Sequence, residues 1–99
     1  MRAVTRLGDL STGHGCFPPQ IALTGSFNVR VNGRPVVKTG SKWSPHTCDG
    51  VVHSGTQVLG SLSVFVNGVP MARIGDFISC GSFCAMGSTN VFAGGWKTV

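Results

Sequence analysis

Acidic residues are scarce in this sequence. Glutamate is absent, and Asp9, Asp49 and Asp76 are the only acids among 99 residues. The aspartates are far apart and sit in predicted turns, so no carboxylate pair is evident for general acid–base catalysis. No motif frames a serine nucleophile either.

Long apolar runs are also missing. No segment approaches the roughly 20 apolar residues of a membrane helix, and the N-terminus lacks the apolar stretch of a secretory signal. We therefore expect synthesis in the cytoplasm and no export by the general route. In that reducing compartment, the four cysteines are more often metal ligands or buried apolar residues than disulfides.

Clusters of basic residues are missing as well. Eight Lys and Arg give a net charge of +5, but they are spread thinly along the chain. Neither a basic run nor an alternation of aromatic and basic residues is present, which argues against a specific nucleic-acid partner. Fifteen glycines and five prolines interrupt every stretch that could hold a helix. They favour short strands joined by turns.

What the sequence does contain is an internal repeat. The segment at 25–35 (GSFNVRVNGRP) returns at 60–70 (GSLSVFVNGVP) and, more weakly, at 87–95 (GSTNVFAGG). Each copy alternates like a half-buried strand. In the first copy, Phe27, Val29 and Val31 are predicted to share one face of the strand.

Each of the first two copies ends in an Asn-Gly pair, which supplies the positive φ angles of a tight hairpin turn. Return strands are predicted at 35–38 and 70–73. A second repeated element then follows, at 6–10, 38–42 and 73–77.

The second repeated element carries Asp9 and Asp76 in two copies and Ser41 in the middle one. The aspartates are predicted to cap turns by accepting hydrogen bonds from backbone N–H groups. Serine in the middle copy is expected to lose one such bond. Because the repeats begin and end in mid-unit, we predict a chain of three similar units that closes on itself around an axis.

In each of the three units, the loop that follows this turn contains a residue suited to binding zinc. The loop of the middle unit contains two histidines. The residues are His14, His46, His53 and Cys80. If the three loops converge at one end of the axis, three imidazoles and one thiolate form a tetrahedral set suited to Zn²⁺.

The other cysteines leave the choice of thiolate open. Cys16, Cys48 and Cys84 are most simply small buried apolar side chains. Cys48 or Cys84 could replace Cys80 as a ligand, and a disulfide among the three is a further alternative.

Together, these residues resemble the PAAR-repeat family of spike-tip proteins, which is named for a Pro-Ala-Ala-Arg element. That element stands here as PMAR at 70–73 and, degenerately, as PVVK at 35–38. The resemblance implies an all-β fold: a small cone of β-hairpins with pseudo-threefold internal repeats and a zinc-stabilised tip. It covers nearly the whole chain and implies a spike-tip domain at 1–95 with a short C-terminal tail at 96–99.

The resemblance also implies a structural function without catalytic residues. Such a chain caps and sharpens the trimeric β-helical spike of a contractile phage tail or a type VI secretion system. One copy would bind each trimer, and the assembled tip would be delivered to the envelope of a target cell, with transient contact with its membrane. The implied cofactor is one structural Zn²⁺ on His14, His46, His53 and Cys80. No small-molecule substrate and no specific nucleic acid are implied.

The same strand position in the three repeats holds Arg30, Phe65 and Phe92, on the face opposite Val29, Val64 and Val91. Two exposed phenylalanines at equivalent positions indicate a surface for a partner. The alternative is that both rings pack beneath neighbouring loops.

Other functions stay open at this point. A zinc-dependent hydrolase would need an open coordination position and a base. A zinc module that binds nucleic acid would need a clustered basic face, and a disulfide-stapled secreted module would need an export signal. Cys80 beside a histidine could also act as a thiol nucleophile.

Overall fold

The computed structural model describes residues 1–94, which contain short β-strands and no helix. The strands are β1 (Arg2–Ala3), β2 (Arg30–Val31), β3 (Arg34–Pro35), β4 (Lys42–Cys48), β5 (Val51–Thr56), β6 (Phe65–Val66), β7 (Val69–Pro70) and β8 (Phe92–Ala93). They form four antiparallel pairs, β1–β8, β2–β3, β4–β5 and β6–β7. The prediction of an all-β fold of small hairpins is confirmed. Gly95 and the tail at 96–99 lie outside the described residues.

The Asn-Gly pairs form the two equivalent turns that the repeat predicts. Asn32 and Gly33 have φ angles of 55° and 78°, and Asn67 and Gly68 have φ angles of 52° and 83°. Two successive residues with positive φ are typical of a type I′ turn, whose twist matches that of the strands it joins. The turns connect β2 to β3 and β6 to β7.

The predicted strand at the start of each repeat is shorter than expected. Phe27 was expected to share a face with Val29 and Val31, and this is wrong because Phe27 is 84% exposed. The Ser26 hydroxyl accepts hydrogen bonds from the N–H groups of Asn28 and Val29, which bends the backbone ahead of β2. Regular pairing therefore begins only at β2, where Val31 is buried.

The third hairpin is assembled from the two ends of the chain. β1 pairs with β8 in the register Arg2↔Ala93 and Ala3↔Phe92, which occupies the place of β3 and β2 in the first repeat. The prediction that the chain closes on itself is confirmed.

A ring of backbone hydrogen bonds surrounds the pseudo-threefold axis. The N–H of Val37 donates to the carbonyl of Thr5, that of Ala72 to Val37, and that of Thr5 to Ala72, at 2.9–3.0 Å. All three residues are completely buried. The predicted return strands at 35–38 and 70–73 thus stop after their prolines, because the backbone beyond bonds to the other repeats.

The repeated turns are capped as predicted where an aspartate is present. The Asp9 carboxylate accepts the N–H of Arg6 at 2.8 Å, and the Arg6 guanidinium lies 3.0 Å from it. Asp76 repeats this arrangement with Arg73 at the same two distances. Both carboxylates are buried, and their charges are compensated by these arginines together with a second, more exposed one: Arg34 lies 3.4 Å from Asp9 and Arg2 lies 3.6 Å from Asp76.

Ser41 keeps the turn hydrogen bond that it was expected to lose. Its hydroxyl accepts the N–H of Lys38 at 3.1 Å, as the carboxylates do in the other two units. That expectation is wrong because the serine side chain is long enough for its hydroxyl oxygen to reach the N–H of Lys38. What the middle unit lacks is the buried ion pair of the other two turns.

The core consists of two clusters that follow each other along the axis. The first lies among the hairpins and comprises Val4, Val31, Val36, Val66, Met71 and Ala93. The second cluster includes Val37 and Ala72, which directly follow Val36 and Met71 of the first cluster. Its members are Ala22, Val37, Trp43, Ala72, Ile78 and Cys84. Cys80 packs against the second cluster, away from the hairpins. The molecule is elongated, with extents of 38 × 27 × 23 Å.

The longest hairpin, β4–β5, was predicted as a loop, and that interpretation is wrong. Asp49 and Gly50 have φ angles of 50° and 78°, which form the same tight turn as the Asn-Gly pairs. Cys48 and Val51 face each other across it. The hairpin gives the middle unit an extension of its own.

Equivalent substitutions in two units test the role of the buried ion pair. Asp9→Ala should lower the free energy of unfolding by about 3–5 kcal/mol, because it leaves the largely buried Arg6 guanidinium without its carboxylate. Ser41→Ala removes one hydrogen bond at the equivalent place and should cost about 1 kcal/mol. Urea unfolding of both variants measures the difference, and equal losses would contradict this account.

Candidate metal centre

Two of the predicted ligands face each other across the β4–β5 hairpin. His46 and His53 are cross-strand partners, and their ring centroids lie 4.6 Å apart. Because directly opposed residues project from the same face of a strand pair, the hairpin presents both imidazoles on one side. The two histidines, predicted to lie in one loop, are therefore on paired strands.

The third histidine comes from a tight turn near the N-terminus. The backbones of His14 and Phe17 bond to each other in both directions. Gly13 has a φ of +70°, and a Cβ there would lie 2.5 Å from the carbonyl oxygen of Phe17, so only glycine fits. This turn places His14 Nε2 3.1 Å from His53 Nε2.

Cys80 reaches the histidines from the last unit of the chain. The backbone of Gly55 on β5 lies directly against it, since a Cβ at Gly55 would be 3.0 Å from Cys80 Sγ and 2.7 Å from Ile78 Cγ2. Gly81, with a φ of +104°, lies against the ring of His14. Glycines thus allow the thiol and the imidazoles to approach.

The structure brings all four predicted ligands together. One donor atom from each of His14, His46, His53 and Cys80 lies within 4.8 Å of the others. A tetrahedral zinc with bonds of about 2.0–2.3 Å needs donors about 3.3–3.8 Å apart, so the spacing here is close to what such a site requires. We call the end of the molecule that carries these residues the apex.

The environment of His46 fits a metal ligand. Its Nδ1 lies 2.7 Å from the carbonyl oxygen of Pro18, so this nitrogen carries the proton and donates. The other nitrogen, Nε2, then offers a lone pair to the cluster, and it is buried without a hydrogen-bond partner among residues 1–94. A buried acceptor with no partner is costly, and a metal ion would satisfy it. Histidines that bind a metal usually donate their other ring N–H to a backbone carbonyl or carboxylate, which fixes the tautomer.

His14 favours the neutral form that a metal ligand needs. Desolvation lowers the pKa of His14, and the charges of His46 and His53 lower it further. A neutral imidazole is the form that binds a cation, so the lowered pKa of His14 favours binding.

Phe17 covers the cluster, and sequence reasoning missed it. Its ring centroid lies 4.2 Å from that of His53 and 4.8 Å from those of His14 and His46. An apolar ring at this place limits access of water to the donors. The only sequence signal was an aromatic residue three positions after a predicted ligand.

The remaining cysteines divide into two kinds. Cys84 is buried as predicted, and its Sγ lies 3.3 Å from Gln57 Oε1. Burial raises the pKa of its thiol to about 12. Cys16 and Cys48 were also expected to be buried and apolar, which is wrong: they form a disulfide, and Cys16 is exposed. Neither Cys48 nor Cys84 belongs to the histidine-containing donor set, whose thiol is Cys80.

Comparison with known proteins identifies the family. A family model described as the PAAR motif matches residues 18–86, more than half of the chain. The chain belongs to the PAAR motif family. The matched range includes His46, His53 and Cys80, whereas His14 precedes it. The geometry of this PAAR chain is therefore what joins His14 to the other three.

Two toxins of Pseudomonas aeruginosa are similar to this PAAR chain. They are the NAD(P)(+) glycohydrolase toxin Tse6 of strain PAO1 and the (p)ppApp synthetase toxin Tas1 of strain UCBPP-PA14. Each is 38% identical over an alignment of 82 residues, and the match covers 76% of this chain but only 19% of Tse6 and 18% of Tas1. The similarity thus concerns about a fifth of each toxin, and their enzymatic names describe those proteins and not this chain.

The close approach of Gly55 to the Cys80 thiol provides a test of the candidate metal centre. Gly55→Ala should displace Cys80 and weaken metal binding at least about tenfold, because the added Cβ meets Ile78 as well as the sulfur. Titration with Co²⁺, followed by the thiolate-to-metal absorption band, measures the affinity. Gly94→Ala is the matched control, since its Cβ would meet only ordinary contacts of 3.5 Å or more. Equal affinities of the two variants would argue against this packing.

Proposed function

We propose that this PAAR chain is a structural tip that caps and sharpens a trimeric β-helical spike in a contractile injection system, a phage tail or a type VI secretion system. The observation that supports this most is the closed ring of backbone hydrogen bonds among Thr5, Val37 and Ala72. Through it, one chain repeats the same backbone contacts three times around an axis. A single chain can then match a symmetric trimer at one end and taper to one apex at the other.

The hairpins carry apolar side chains suited to contact with the spike. Phe65 and Phe92 are 57% and 47% exposed at equivalent positions, so they do not pack beneath neighbouring loops. Arg30, at the third equivalent position, is exposed as well. Phe27 and Leu62 add apolar surface at the bends that precede β2 and β6. We propose that these side chains contact the spike trimer, because large exposed apolar groups often mark partner sites.

The apex requires a different source of stability. It consists of a tight turn, the β4–β5 hairpin and Cys80, and it extends beyond the second core cluster. We propose one structural Zn²⁺ on His14, His46, His53 and Cys80. When bound, it cross-links segments from all three units and so replaces the apolar burial that a narrow apex lacks. Four protein ligands leave no position for an activated water, so we propose no turnover and no small-molecule substrate.

The remaining parts of the proposal concern organisation and location. The spike-tip domain would span 1–95, with a short tail at 96–99. The chain would be made in the cytoplasm, assembled on a spike or baseplate, and delivered to the envelope of a target cell, with transient membrane contact. Among residues 1–94, the structure holds no helix that is long and apolar enough to span a membrane. The scattered positive charges predict no specific nucleic-acid partner.

Metal analysis tests the proposed centre. Purified protein should contain about one equivalent of zinc, and Cys80→Ser should lower the affinity at least about 100-fold while also lowering the Tm. Cys84→Ser is the matched control, because Cys84 lies in the core and its hydroxyl substitute can still donate to Gln57. A wild-type protein that is as stable without metal as with it would contradict the proposal.

The stoichiometry of the complex tests the function itself. Native mass spectrometry with a trimeric spike protein should give one copy of this chain per trimer. Binding should survive high salt, since an apolar contact is not screened. Replacing Phe65 and Phe92 together by aspartate should weaken binding more than about tenfold, whereas Val52→Asp, at an exposed position near the apex, should not. Three copies per trimer would overturn the idea that the internal repeats match the trimer.

A further inference from the structure

A disulfide lies beside the candidate metal centre and involves neither the proposed ligands nor the core. It joins Cys16, in the turn that carries His14, to Cys48, the last residue of β4. The Cα atoms of the two cysteines are 5.7 Å apart, within the usual range for a disulfide. The bond therefore joins two segments that also carry proposed ligands.

The disulfide and the proposed metal would connect the same two parts of the chain. Cys16 is two residues from His14 in the N-terminal turn, and Cys48 is two residues from His46 in the β4–β5 hairpin. A metal on His14, His46 and His53 fastens that turn to that hairpin. The disulfide joins the same turn and hairpin without needing a metal ion. With the metal bound, the apex would have two cross-links in parallel.

The two kinds of cross-link differ in their exposure to reagents. Cys16 is exposed and Cys48 is half-buried. His46 is buried and Cys80 is half-buried beneath Gln20 and Gly55. A small thiol in solution can reach the sulfur of Cys16 directly. Accessible disulfides are the ones that respond to the redox state of their surroundings.

We propose that the Cys16–Cys48 disulfide is a reversible clamp on the apex, opened and closed by thiol–disulfide exchange independently of the metal. In opening, the thiolate of a small-molecule thiol such as glutathione attacks Cys16 Sγ. The S–S bond breaks, and Cys48 leaves as a thiolate and takes up a proton. A second small-molecule thiol attacks the mixed disulfide, releases Cys16 as a thiol and departs as the small-molecule disulfide. Closing is the reverse reaction, with that disulfide as the oxidant.

If the chain is a spike tip, as proposed above, it is made in one compartment and used in another. The state of the clamp would then differ between the two compartments. A reducing cytoplasm keeps the two cysteines as thiols, and an oxidising envelope closes the bond. The apex would then be fastened a second time where it meets the target.

The test compares oxidised and reduced protein. Wild-type protein and the variant Cys16→Ser/Cys48→Ser are equilibrated with either oxidised or reduced glutathione, treated with a metal chelator and melted. Intact mass reports the disulfide as a loss of two hydrogens. Oxidised wild type should melt at least about 10 °C above reduced wild type, because a disulfide closing a loop of this length restricts the unfolded chain. The double variant should melt at one temperature in both conditions.

A second measurement asks whether the clamp supports the metal centre. Zinc release to a coloured chelator should be at least about tenfold slower from oxidised than from reduced wild type, with no such difference in the double variant. The melting comparison uses metal-free protein, so it decides the clamp even if the proposed zinc centre fails.

Several outcomes would overturn the clamp. One is oxidised wild type without the mass change. Another is a melting temperature that is the same in both redox conditions. A third is a second zinc equivalent, present in reduced and oxidised wild type and lost in the double variant. That result would make Cys16 and Cys48, with the adjacent Asp49, a metal site instead of a cross-link.

Discussion

The closed ring of hydrogen bonds around the axis is the constraint on which the rest of the structure depends. Thr5, Val37 and Ala72 each donate to one neighbour and accept from the other, in full burial. None of the three backbones can move alone, because each would leave a buried N–H or carbonyl without a partner. The three hairpins are held in equivalent orientations by this ring, and both core clusters begin at it.

Exact repetition ends above the ring, where each unit takes a different form. The first unit builds a tight turn, the second an extended hairpin, and the third a short segment ending at Cys80 and Gly81. A narrow end cannot hold three identical structures, and it buries too little apolar surface to be stable by packing alone. Dividing the donor residues among three different segments lets them meet at one place. Within residues 1–94, the Nε2 of His46 is buried there without a hydrogen-bond partner, which packing alone leaves uncompensated.

Much of this architecture could be predicted from the sequence, because repeats and turn residues carry local information. The Asn-Gly turns, the capping role of Asp9 and the closure of the chain all follow from patterns visible in 99 residues. The β4–β5 hairpin was missed although its Asp-Gly turn has the same chemistry, since it has no copy in the other units. The Cys16–Cys48 pairing could not be predicted, because it depends on how a turn and a hairpin distant in sequence meet. For the same reason, the position of Phe17 over the histidines could not be predicted from the sequence.

The pairing of β1 with β8 has a consequence for how this protein is made. Val4 and Ala93 belong to the same core cluster, and the strand that holds one is hydrogen-bonded to the strand that holds the other. A chain emerging from the ribosome therefore exposes an incomplete hydrophobic cluster until residue 93 has been synthesised and released from the exit tunnel. Contacts between residues so far apart in sequence form slowly, so the interval before closure is the time at which the nascent chain most needs protection from aggregation.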